Sequence, residues 1–131
     1  MPITAGLALP SLALPSSAWA DPCTAPLPPA GTAFAGEVRY VGDGDSLCVG
    51  PSPDPASWIE VRLADFYAPE LAVPGGRAAK VALEQIVFGR TLRCQAGKRS
   101  YDRAVARCRL NGAPLGVLMR RAGIAEGGNR R

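Results

Sequence analysis

Apolar and polar positions alternate with period two along several short stretches of this chain, and one stretch follows the period of a helix. From Phe34 to Val41 the alternation is that of a half-buried strand, and Asp43-Gly44 is a hairpin turn signal before a return strand, Ser46-Leu47-Cys48-Val49. Gly50 to Ser57, with Pro51, Pro53 and Pro55, reads as a loop. Trp58 to Phe66 is the clearest strand, with Ile59, Val61 and Leu63 on one face and Glu60, Arg62 and Ala64 on the other. Ala68-Pro69 must be extended. Gly75-Gly76 opens a helix through about Val87, whose apolar stripe is Ala79, Leu83, Ile86 and Val87, and Gly89 ends it. Thr91 to Cys94 and Ala104 to Leu110 predict a second hairpin around a basic, polar loop from Gln95 to Asp102. Asn111-Gly112 is a further turn, and Leu115, Leu118, Met119 and Ala122 mark a short closing helix. Three strands, a helix, two strands and a helix predict a β-barrel with helices (α+β), of the five-stranded OB-fold Greek-key kind.

Composition adds boundaries. The chain has 131 residues, enough for one domain, and at 47% hydrophobic it is not a disordered composition. The first 20 residues carry no Lys, Arg, Asp or Glu and end in Ala18-Trp19-Ala20. That pattern predicts a signal peptide cut after Ala20 and an exported, periplasmic or secreted protein of bacterial type, with no stable membrane association after cleavage. Residues 21–33, rich in Pro and Ala, read as an N-terminal arm, 34–125 as the folded domain and 126–131 as a basic tail.

The cysteines sharpen this picture. Cys23, Cys48, Cys94 and Cys108 make an even count, which in an exported domain predicts two disulfides. Three pairings are possible. Cys94 and Cys108 flank a polar turn and suit adjacent strands, which leaves Cys23 for Cys48. With no C-x-x-C pair and no His anywhere, a zinc site is the weaker reading. The absence of His also excludes His-dependent acid–base or triad chemistry.

Charge is uneven. Residues 1–76 carry −6 and residues 77–131 carry +10. The basic half suits a polyanion, although a solvated surface alone would also account for it.

Carboxylates and arginines are therefore the candidate chemistry. Carboxylate oxygens bind hard divalent cations, arginine forks match phosphate, and a carboxylate can position or deprotonate water. Asp45, Arg62, Glu70 and Arg103 cover these services. Each also has a plain structural reading: a turn former at Asp43 or Asp45, a solvent-facing strand residue at Arg62, a first-turn helix acid at Glu70, and a surface pair at Arg103.

The order of the motifs is more specific than any one of them. Val41-Gly42-Asp43-Gly44-Asp45-Ser46, Ile59-Glu60-Val61-Arg62-Leu63-Ala64-Asp65, Ala68-Pro69-Glu70-Leu71, Ala79-Lys80-Val81-Ala82-Leu83 and Tyr101-Asp102-Arg103-Ala104-Val105-Ala106-Arg107-Cys108 follow one another in this sequence. Together they resemble the staphylococcal nuclease-like (thermonuclease) family over roughly residues 36–125. The resemblance implies an OB barrel and a monomeric, calcium-dependent hydrolase cutting phosphodiester bonds of DNA or RNA. It implies Asp45 and the backbone carbonyl of Ala68 as metal ligands, and Arg62 and Arg103 as the arginines on the scissile phosphate. Glu70 would organise the attacking water. Tyr101 would contact a terminal phosphate, with Lys98 and Arg99 in the substrate-binding loop beside it.

The chain departs from the family at one ligand. The second metal-binding aspartate falls at Tyr67, and a phenol that titrates near ~10 is a poor calcium ligand. Asp65 and Asp43 are the candidate compensating acids. Asp102 stands where the family usually has Gly. The alternative reading is accordingly a weakened or inactive nuclease-like OB module that binds nucleic acid or another polyanion without cutting. A disulfide-stapled interaction domain ranks third.

Overall fold

The computed structural model describes residues 21–101 and 103–127. The predicted signal segment 1–20 lies outside the described residues, as do Asp102 and residues 128–131 of the predicted tail. The elements are β1 (Ala33–Asp43), β2 (Ser46–Gly50), a 3-10 turn (Pro55–Ser57), β3 (Ile59–Leu63), α1 (Gly76–Val87), β4 (Thr91–Ser100), β5 (Arg103–Leu110), β6 (Ala113–Pro114) and α2 (Leu115–Arg121).

β1 is long because it serves two partners. Ala33 to Glu37 pair with β4, and Glu37 to Asp43 pair with β2. Register irregularities between Val38 and Tyr40 and between Val41 and Asp43 bend the strand between these two tasks. The strand order is β3-β2-β1-β4-β5-β6, and β3 also pairs in parallel with β5. That last pairing closes five strands into a mixed barrel, which with its two helices is an OB-like α+β fold.

Inward positions fill the barrel as the period-two pattern requires: Val38, Val41, Leu47, Val49, Val61, Leu63, Leu92 and Ala106 all belong to one buried cluster. α1 contributes Ala79, Leu83 and Val87, spaced one helical turn apart, and α2 contributes Leu115 and Met119.

Two predicted boundaries move. Strand β3 stops at Leu63, not at Phe66. Asp65 is held by α2 and Phe66 is fully buried, so both leave the strand. The predicted loop from Gln95 is strand as far as Ser100, and Tyr101 is a turn residue. Its exposed face is basic and polar, which concealed buried Ala96 on the other face.

The two disulfides pair as the sequence suggests, Cys94 with Cys108 and Cys23 with Cys48, leaving no free cysteine. Cys94 and Cys108 face each other across β4 and β5. Cys23 fastens the N-terminal arm to β2, and the arm adds backbone bonds from Thr24 N–H to the Pro55 carbonyl (3.2 Å) and from Ala25 N–H to the Trp58 carbonyl (2.9 Å). The Cys94–Cys108 bridge closes a loop with a sequence separation of 14. Replacing both cysteines by Ala is expected to lower stability by about 3 kcal/mol. Urea unfolding without reductant checks it; an unchanged midpoint would mean that the hairpin ladder alone carries the pairing.

Candidate functional site

The Asp43-Gly44-Asp45 turn joins β1 to β2 and works through its two acids differently. Asp43 Oδ1 accepts from Asp45 N–H at 3.0 Å and from Ser46 Oγ at 2.8 Å, the local bonding of an Asx turn. Asp43 therefore shapes the turn. Asp45 is fully buried, and its Oδ2 accepts from Ala68 N–H at 3.0 Å. Its backbone carbonyl accepts from Leu63 N–H at 2.8 Å. One residue thus ties the turn to the end of β3 and to the Ala68-Pro69-Glu70 segment.

Gly44 makes that approach possible. A Cβ there would lie 2.6 Å from the Cβ atoms of both Ala68 and Ala79, inside any real contact distance. Gly76 does the same for Glu70, whose carbonyl oxygen would lie 1.9 Å from an added Cβ. The start of α1 is thus packed directly on the segment that carries Glu70. The sequence signals for both glycines were turn and helix-start signals, which give no hint of these close approaches.

Arg62 is not a solvent-facing strand residue. It is 3% exposed, with its Cα opposite Ser46 on β2 and Val105 on β5. Val61 and Leu63 fill the barrel, so Arg62 lies on the other face of β3, buried there. Its guanidinium carbon sits 5.6 Å from the centroid of the Tyr67 ring, a cation–π contact. Arg103 begins β5, half-buried, two residues before Val105, and by strand alternation it shares the face of Arg62. Glu70 is exposed, and its carbonyl accepts from Val73 N–H at 3.0 Å.

The other sequence candidates fall as follows. Asp65 Oδ2 accepts from Gly116 N–H at 3.0 Å in the first turn of α2, so its carboxylate anchors that helix. Lys98 and Arg99 are exposed at the far end of β4, where an Arg99 Nη donates to the Leu27 carbonyl of the arm at 3.5 Å. Tyr101 is 95% exposed at the hairpin tip in the left-handed region (φ 59°).

No local sequence signal points to the strap that crosses the 65–70 segment. Glu126 Oε1 accepts from Tyr67 N–H at 2.7 Å, Gly127 N–H donates to the Tyr67 carbonyl at 3.1 Å, and Arg120 bonds both the Asp65 carbonyl and Glu126 at 3.2 Å. The first two residues of the predicted tail are therefore docked on the segment that joins Arg62 to Glu70.

A second group of acids lies nearby in the fold. Ligand atoms of Asp21, Cys23 and Glu60 fall within 4.8 Å of one another. The Cys23 sulfur is committed to its disulfide, so the group reduces to two carboxylates. Burial, and then Asp21, Asp43 and Glu60, push the Tyr40 phenol above its ordinary value. Folding thus holds this proton more tightly than the unfolded chain does. Its contribution is fully present below ~10 and is lost as pH rises through the raised folded value. Tyr40→Phe is expected to flatten the alkaline loss of stability as pH rises above about 10, read as urea midpoints. Parallel profiles for the two proteins would contradict it.

The residues fit a hard cation only in part. Asp45 and the Ala68 backbone are brought together, whereas Tyr67 supplies no carboxylate and Asp43 and Asp65 have structural partners. Such a donor set leaves most of the six to eight oxygens a calcium ion takes to water and to substrate phosphate. No protein-family model and no curated protein matches this chain.

Proposed function

We propose that this chain is a thermonuclease-like phosphodiesterase on a Greek-key OB barrel, an exported monomer that uses calcium to hydrolyse DNA or RNA. The observation that carries the reading is the double tie made by Asp45: its carboxylate bonds the Ala68 N–H and its carbonyl the Leu63 N–H, which joins the D-G-D turn to the end of β3, next to buried Arg62, and to the segment that leads to Glu70. Two disulfides suit an oxidising compartment. Among the described residues no helix is long and apolar enough to cross a membrane.

The chemistry follows from the side chains. Arg62 and Arg103, on one face of adjacent parallel strands, grip the non-bridging oxygens of the scissile phosphate and stabilise the charge that grows on them as phosphorus becomes five-coordinate. Glu70, exposed eight positions after Arg62 and reachable by water, takes the proton of the attacking water. The new P–O bond forms as the opposite P–O bond breaks, and the leaving oxygen gains a proton from solvent. Asp45 and the Ala68 carbonyl would hold calcium, which supplies Lewis-acid neutralisation of phosphate charge. Burial of Arg62 makes its charge more effective than it would be at the surface.

The second reading, binding without cutting, has its own observation. Tyr67 replaces a metal-ligating acid and lays its ring on the Arg62 guanidinium. Single-stranded DNA incubated with the protein, with calcium or with chelator, separates the two. Fragments in calcium support the first reading. Intact strand that is nevertheless bound supports the second.

A further inference from the structure

The outer face of β4 and β5 carries a groove that the proposed chemistry does not use. It has a volume of about 660 Å³ and is lined by Phe34, Ala35, Arg93, Gln95, Arg107 and Arg109, among others. The register explains its charge. Arg93 stands directly opposite Arg109, and Gln95 opposite Arg107. On the other flank Ala35 pairs with Arg93 and Ala33 with Gln95, so β1 contributes small side chains to this face, which is a trough beside the arginines.

Like charges directly opposite each other on a sheet are destabilising. Here no acid lines the groove, and none of its three exposed arginines has an ion-pair partner among the described residues. Arg109 donates only to the Gly112 carbonyl, at 3.1 Å. An anion laid in the trough would offset that repulsion.

The row also lies on the strand that begins with Arg103, with buried Val105 between them. On β5, Arg103, Val105, Arg107 and Arg109 share one face. Alternate residues of a strand recur about every 6.8 Å. A polymer gripped at Arg103 can therefore be followed residue by residue along the same strand.

We infer that this face is a second binding surface, for the phosphodiester backbone of a single-stranded nucleic acid. It would hold the strand beyond the scissile phosphate. Guanidinium forks match phosphate oxygens in a bidentate way, and a trough one strand wide suits a chain better than a flat lipid surface. The inference rests on the proposed function only for the direction of the strand, toward Arg103.

The test uses the full chain with Arg93, Arg107 and Arg109 all changed to Ser. A control replaces Arg77, Arg90 and Arg121 by Ser, which removes the same charge from other exposed positions. Fluorescence anisotropy follows a labelled oligothymidylate of about 20 nucleotides in chelator, between about 50 and 200 mM salt. Three lost phosphate contacts should reduce the slope of log affinity against log salt by about 2 and weaken binding at least about tenfold, with the control near the wild type. Hydrolysis of a small chromogenic phosphodiester should not change. A thermal midpoint at or above the wild-type value shows that the variant folds, since it relieves the Arg93–Arg109 repulsion. Slopes equal in the variant and the wild type would overturn the surface, and so would equal losses in variant and control. A loss seen with phosphatidylserine vesicles and not with the oligonucleotide would also overturn it. If no substrate is cut by any form and the slope still falls, the surface stands and the catalytic reading fails. If DNA is cut and the slope is unmoved, the reverse holds.

Discussion

Arg62→Lys is expected to lower cleavage of single-stranded DNA by at least about 100-fold, chiefly in kcat, while the chain stays folded. Arg62 is buried on the outer side of β3, between strands β2 and β5, so its side chain is held by neighbours on both sides. A lysine keeps the charge but loses the planar fork that meets two phosphate oxygens at once. It also loses the stacking of a flat guanidinium on the Tyr67 ring. The loss should appear in turnover, because charge on the phosphate grows as the bond to water forms. Arg62→Lys that unfolds at the wild-type urea midpoint but cleaves at the wild-type rate would remove Arg62 from the chemistry.

Tyr67→Asp is expected to tighten calcium binding at least about tenfold, read by titration calorimetry with calcium alone. Affinity at oxygen sites is set by the number of charged ligands, and Asp45 is the candidate ligand whose carboxylate bonds the Ala68 N–H. The substitution adds a second. The Tyr67 backbone is already fixed, through its N–H to Glu126 and its carbonyl to Gly127, so a new carboxylate would be presented from a held position. If the catalytic reading is right, the calcium concentration needed for half-maximal cleavage should fall in the same proportion. Unchanged affinity would contradict a calcium site at Asp45 and Ala68.

Much of the fold was legible because period and turn chemistry act locally. Asp43-Gly44 and Asn111-Gly112 are turns, and the α1 stripe packs where its spacing required. The disulfide pairing followed from reading Cys94 and Cys108 as strand neighbours. The end of β4 was not legible, because its exposed face is a run of polar residues in which one buried alanine is easily overlooked. The burial of Arg62 was not legible either. A charged residue at an alternating position reads as solvent-facing, and no local pattern shows that the Tyr67 ring lies over its guanidinium. Asp65 offered the same ambiguity, since nothing near it in sequence announces the Gly116 N–H that it receives. The strap from Arg120 through Glu126 joins residues more than fifty positions apart, which local signals cannot reveal.

Glu70 is where the account is most exposed to test. It has no role in the core, it is solvent-exposed, and its backbone alone bonds the following turn. Replacing its carboxylate should therefore leave the fold unaltered and act on chemistry only. The measurement is the rate of cleavage of single-stranded DNA in calcium by the wild type and by Glu70→Gln, at matched urea midpoints. Removal of a positioned proton acceptor is expected to cost between about 100-fold and 10,000-fold in rate, with binding of the strand in chelator unchanged. Cleavage by Glu70→Gln at the wild-type rate, or no cleavage by the wild type at all, would contradict the account.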